Sequence, residues 1–209
     1  MSIKLANSPC SWGVDYADAA SNPDWKKVTK EIVEAGYNYS ELGPYGYMPT
    51  NVEEILSYID SINLKIVGGF IFDNLHISKE HDFINKKIIK TCDLLKKLKA
   101  EFYVIIDHLD VKRMTASGKN TIACQLDLSE YKLLVGFLKK ISKICYENYG
   151  LKPVLHPHAG TYIENELEIE NIINDVDFQY MGICIDTAHL YYCGVDACKT
   201  IQKYSNLIM

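Results

Sequence analysis

Apolar residues recur along this chain with two periods that take turns. Short apolar runs of strand type occupy residues 3–6, 37–42, 64–70 and 102–106, and two more lead into His156 and Asp186. Between them the apolar positions take up helical spacing. Trp25, Val28, Ile32 and Ala35 share one face, Ile55, Ile59 and Ile62 the next, and Ile84, Ile88, Cys92, Leu95 and Leu98 line a helix over about 80–99. Further helices are predicted over 129–148, about 164–174 and 196–204. Their ends carry fitting signals: Asn22 as a cap ahead of Pro23, Thr50 paired with Glu53 in a capping box, and Gly36 and Gly150 as stops.

Strand alternates with helix throughout and no hairpin signal interrupts, which is the pattern of repeated βα units on a parallel sheet. The expected fold class is α/β, a (β/α) barrel of TIM type. About six βα units are legible, whereas an eight-unit barrel takes about 250 residues. Residues 206–209 read as the opening of a seventh strand. A single barrel domain over residues 1–209, lacking the last strands and helices, is therefore expected. Strands beside such a gap keep unpaired edges and apolar flanks, which favours self-association into a homo-oligomer. The longest irregular stretch, 109–127, reads either as a loop that closes over substrate or as a plain surface insertion.

Composition narrows the partners. Of 209 residues 48% are hydrophobic and the formal net charge is −5, which suits a sizeable core and disfavours nucleic acid as a partner. No apolar run approaches the ~20 residues of a membrane helix, and the first residues lack the apolar region of a secretory signal. A cytoplasmic location without membrane attachment is expected. The seven cysteines are odd in number and irregularly spaced, with no zinc-ribbon pattern at Cys193 and Cys198, so reduced and mostly buried thiols are expected. No Gly-x-Gly-x-x-Gly follows the first strand and no Walker sequence occurs, which argues against a nucleotide cofactor.

The candidate chemistry gathers where apolar runs end. His156 and His158 are two apart and share a strand face, and Asp186 closes the next apolar run with His189 just beyond it. In parallel α/β folds, polar groups at carboxyl ends of strands are where chemistry is found. Asp186 reads as a metal ligand or as a cap of the next turn, and His158 as a ligand or a hydrogen-bonded core histidine. His156, one step deeper, suits substrate contact or support of a ligand. Glu41, on an otherwise apolar strand, needs a partner such as a substrate hydroxyl or a lysine. Glu164 opens a helix, where the dipole alone favours Glu. Trp12 and Tyr45 either wall a sugar-sized pocket or simply pack, and Asp107 and His108 end the fourth strand.

Four ordered blocks carry a family likeness: Ala6-Asn7-Ser8-Pro9-Cys10-Ser11-Trp12-Gly13-Val14, Glu41-Leu42-Gly43-Pro44-Tyr45-Gly46-Tyr47, His156-Pro157-His158-Ala159-Gly160-Thr161-Tyr162-Ile163-Glu164 and Asp186-Thr187-Ala188-His189-Leu190. Together they resemble inosose dehydratases (2-keto-myo-inositol dehydratases), of the sugar phosphate isomerase/epimerase group with a xylose isomerase-like TIM barrel. The resemblance implies one divalent metal, manganese or cobalt, held from the ends of strands five to eight. It puts His158 at the strand-five ligand position, more often Glu in the wider group, and Asp186 at the strand-six position. Glu164 and His189 match positions that contact substrate or move protons, and Trp12, Glu41 and His156 are the substrate-binding candidates.

The implied reaction is a metal-dependent dehydration of myo-inosose in inositol catabolism. A proton leaves the carbon alpha to the ketone and the beta hydroxyl departs as water. A sugar isomerase or epimerase shares the first half of this chemistry, and stays open beside the lyase. The implied ligands of strands seven and eight have no counterpart here, so the 209-residue monomer is expected to bind metal poorly. An inactive truncated chain is the remaining alternative.

Overall fold

A computed structural model describes residues 3–119, 124–176 and 178–209. Six parallel strands stand in chain order, each hydrogen-bonded to its sequence neighbour: β1 Ala6–Asn7, β2 Tyr39–Glu41, β3 Lys65–Asp73, β4 Phe102–Asp107, β5 Lys152–Leu155 and β6 Gly182–Ile183. The helices are α1 Trp25–Glu34, α2 Val52–Ser61, α3 His81–Lys97, α4 Val111–Ala116, α5 Leu128–Tyr149, α6 Glu166–Asp175, α7 Thr187–Tyr192 and α8 Ala197–Lys203. This is the expected α/β barrel sheet. At its far edge Ile183 bridges Ile208 in parallel, so the segment read as a seventh strand does begin to pair.

The two faces of the sheet divide the side chains. On β3 and β4, Ile71, Tyr103 and Ile105 point outward and are buried beneath the helices. Their alternates Phe70, Phe72, Val104 and Ile106 point inward and line a cavity. The helices answer with the stripes read from the sequence: Val28 and Ile32 on α1, Ile55 and Ile59 on α2, Ile84, Ile88, Cys92 and Leu95 on α3. Each such side chain contributes about 1.5–3 kcal/mol on leaving water. The buried Cys92 and Cys145 thiols meet across α3 and α5 with sulfurs 3.6 Å apart, and both remain free. Cys10 and Cys198, by contrast, are exposed.

Four local readings are corrected. Helix α1 is capped by Asp24, whose carboxylate accepts from Lys26 and Lys27 N–H groups. Asn22 instead donates to the Tyr16 and Ala17 carbonyls and ties down the preceding loop, leaving Pro23 outside the helix. Helix α2 is capped by Asn51, accepting from Glu54 N–H, one residue later than expected. The stretch 109–127 holds helix α4, capped by Asp110, and α7 follows β6 where no helix was foreseen. Residues 120–123 of that stretch lie outside the described residues. Among the described residues no helix is long and apolar enough to cross a membrane.

Candidate metal centre

Histidines 156, 158 and 189 converge at the carboxyl ends of β5 and β6. His156 directly follows β5, and its N–H continues the ladder to the Ile105 carbonyl at 3.0 Å. His158 sits on the same face at the start of a tight loop. That loop closes when His158 N–H donates to the Ile163 carbonyl, and Thr161 donates from N–H and hydroxyl to the His158 carbonyl. His189 arrives from the first turn of α7, which Asp186 caps by accepting the Ala188 and His189 N–H groups at 2.7 and 3.1 Å. One nitrogen from each imidazole falls within 4.8 Å of the others. The His158 and His189 rings lie 3.7 Å apart, and His156 stands edge-on to both at 5.6 and 5.4 Å.

The electrostatics suit a cation. Burial, then the neighbouring His158 and His189, push the His156 imidazole down to about 4. Burial and His189 likewise lower His158. Both rings are thus neutral at physiological pH, the form that ligates. His158 Nδ1 donates to the Ala159 carbonyl at 2.7 Å, which leaves Nε2 its lone pair. Among the described residues, His156 Nδ1 is buried with no hydrogen-bond partner, an orphan that a bound cation would satisfy. For Asp186, burial pushes the carboxyl up, but the His189 N–H, the His189 charge and the Ala188 N–H outweigh it and hold the group below its ordinary value. Its free oxygen Oδ2 lies 3.8 Å from His189 Nε2. Three imidazoles and one carboxylate fit a divalent metal.

These groups form part of the wall of a cavity of about 800 Å³. Glu41, at the end of β2, lines it too, and burial raises its carboxyl above the ordinary value against an opposing hydrogen bond from Ser8. Phe72, Tyr16 and Ile106 supply an apolar side. His108 stacks on Phe72 at 4.6 Å and meets the Tyr16 hydroxyl at 3.4 Å.

Residues 29–207 match the family described as xylose isomerase-like TIM barrel. The chain belongs to that family. Among its relatives are inosose dehydratases of Clostridium beijerinckii and Geobacillus kaustophilus. Each is 26% identical over 99% of this chain, and the match spans 68% and 67% of the relatives' own lengths. The fold also matches the structure of a probable 3-DHS dehydratase AsbF from Bacillus anthracis, with a TM-score of 0.73 at 14% identity over 99% of this chain and 71% of that one. A structure of the IolI protein with a bound zinc atom matches with a TM-score of 0.68 at 17% identity, over 93% of this chain and 66% of that one.

Within this xylose isomerase-like barrel, the cavity brings together five of the expected site residues: Glu41, His156, His158, Asp186 and His189. Two others lie elsewhere. Trp12 turns away to donate from Nε1 to Glu31 at 2.6 Å, because the single helical turn Pro9–Trp12 points it toward α1. Glu164 is 1% exposed and not part of the cavity wall, ion-paired to Arg113. Asp107 likewise turns from the cavity and binds His76 and the Leu75 N–H. Beside His158 and Asp186, the two groups expected as ligands, His156 and His189 also bring ring nitrogens to the same place. Spacing hid this: β5 delivers two imidazoles to one face, and α7 swings the third across from β6. Ser8 and Cys10, from the first of the four blocks, and Asp15 and Tyr16, just beyond it, also line the cavity wall.

Proposed function

We propose that this cavity is the active site of a divalent-metal-dependent hydro-lyase acting on a cyclic polyol ketone of the inosose type. The convergence of three imidazoles and Asp186 on one cavity wall carries the reading. The inosose dehydratase relatives, which align along 99% of the chain, support it. His156, His158 and His189 would hold the ion with Asp186 as a fourth ligand. Manganese or cobalt is the preferred occupant, and when bound the ion supplies Lewis-acid polarisation of the ketone.

The remaining work falls to the chain's own groups. Glu41, whose carboxylate is made more basic by burial, takes the proton from the carbon alpha to the ketone. The same carboxyl oxygen then returns that proton to the beta hydroxyl, which leaves as water; one C–H and one C–O bond break and a C=C bond forms. Phe72 and Tyr16 pack against the C–H face of the ring and exclude bulk water from it. Ser8 orients the Glu41 carboxyl.

The test is incubation of the manganese- or cobalt-loaded chain with myo-inosose in deuterated water, followed by mass spectrometry. Loss of one water, abolished in His158→Ala, is the expected result. Exchange of the alpha proton without loss of water would replace the lyase by an isomerase or epimerase. The absence of both water loss and proton exchange would refute the assignment of this chain's cavity as an active site.

A further inference from the structure

Of the 22 basic side chains in this protein 21 are lysines, and the single arginine is Arg113. It lies on α4 with no exposed surface. Its Nε donates to the Thr161 carbonyl at 2.8 Å, Nη1 to the Cys124 carbonyl at 2.7 Å and Nη2 to Glu168 Oε2 at 2.8 Å. Nη2 also pairs with Glu164 Oε1 at 3.1 Å. Three donor nitrogens spread over a rigid plane serve these partners, and an ammonium group on one atom cannot reach them together. A chain built otherwise from lysine departs from it where that fork is needed.

Glu164 completes the hub. Its other oxygen, Oε2, accepts the Gly160 N–H and the Ser117 hydroxyl, each at 2.7 Å, and the Cys193 thiol at 3.8 Å. Those three donors sit on three different pieces of chain. Gly160, at φ 82°, belongs to the tight loop that His158 opens. Ser117 ends α4, and Cys193 closes α7, the helix that carries His189. One buried carboxylate thus ties together the supports of two imidazoles whose rings stand 3.7 Å apart. Buried ion pairs contribute little net stability but are well suited to fixing a register.

We propose that the Glu164–Arg113 pair is a positioning device that holds His158 against His189 and thereby sets the divalent-cation affinity of the histidine cluster, touching neither cation nor substrate. The proposal rests on the metal-centre reading for its consequence, and on the metal-free geometry for its cause. Partners that orient ligands from behind typically change metal affinity about 10–100-fold when altered.

Two variants test it, Glu164→Gln and the milder Ser117→Ala, each measured with cobalt(II) alone. Glu164→Gln should weaken cobalt binding about tenfold and alter its visible absorption, with circular dichroism unchanged. Ser117→Ala should shift both in the same direction by less, and it decides the matter if Glu164→Gln fails to fold. Ile84→Val, a core change on α3 away from the hub, should lower thermal stability without touching either readout. In the metal-free protein, the nuclear Overhauser contact between the His158 and His189 ring protons should weaken in both variants. Unchanged cobalt affinity and spectrum in both variants would overturn the proposal. Should the parent chain bind no cobalt, the metal reading fails by itself. The ring-to-ring contact then decides the positioning claim, and its persistence in both variants refutes it.

Discussion

Acidifying the metal-free protein should act first through His156. Burial, with His158 and His189 beside it, holds this imidazole down to about 4, against 6.5 for an ordinary histidine. The unfolded chain therefore binds that proton more tightly than the folded one. The stability tied to neutral His156 is complete above pH 6.5 and is withdrawn as pH falls through 6.5 toward about 4. Each tenfold difference in proton affinity is worth about 1.4 kcal/mol, so the loss by pH 4 reaches about 3 kcal/mol. The assay is urea unfolding in the presence of a chelator, from neutral pH to about pH 4, for the parent and for His156→Phe, which has no proton to gain. His76, whose Asp107 bond raises it despite burial, acts alike in both proteins and drops out of the difference. The gap between the two stability curves should stay flat above pH 6.5 and then move by about 3 kcal/mol in favour of the variant. Parallel curves down to pH 4 would refute the buried, neutral state of His156.

Three further outcomes are expected. Asp186→Ala should remove the cap of α7, costing about 1 kcal/mol, and should weaken manganese binding; calorimetry showing the parent affinity would take Asp186 out of the ligand set. Glu41→Gln should leave manganese affinity unchanged and lower turnover of myo-inosose by about 10²–10⁴-fold, so equal kcat values would make Glu41 a bystander. At Gly68 an added Cβ would sit 2.8 Å from the Phe102 carbonyl oxygen, part of the neighbouring strand. Gly68→Ala should cost about 1–3 kcal/mol, read as a lower urea midpoint, and an unchanged midpoint would mean that β3 and β4 separate freely.

The order of elements was legible because each needs only local information. Period-two runs and helical stripes announced β1 to β6 and the long helices, and the parallel sheet followed from their strict alternation. Strand ends were legible too, since Glu41, His156, His158 and Asp186 each interrupt or end an apolar run. Caps were misplaced by one or two residues because Asn22, Asp24, Thr50 and Asn51 all carry capping side chains. The winner is whichever has no better partner, and Asn22 found one in the Tyr16 and Ala17 carbonyls. The fate of Glu164 could not be read locally at all. Its burial depends on Arg113, 51 positions earlier, and on Cys193, 29 positions later, meeting it in the interior. The same holds for the metal cluster: sequence spacing joined His156 to His158, but only closure of β6 against β5 and the swing of α7 brought His189 to within 3.7 Å. Local periodicity determined which pieces form, and long-range packing decided which of their polar ends share a cavity and which are used to hold it in shape.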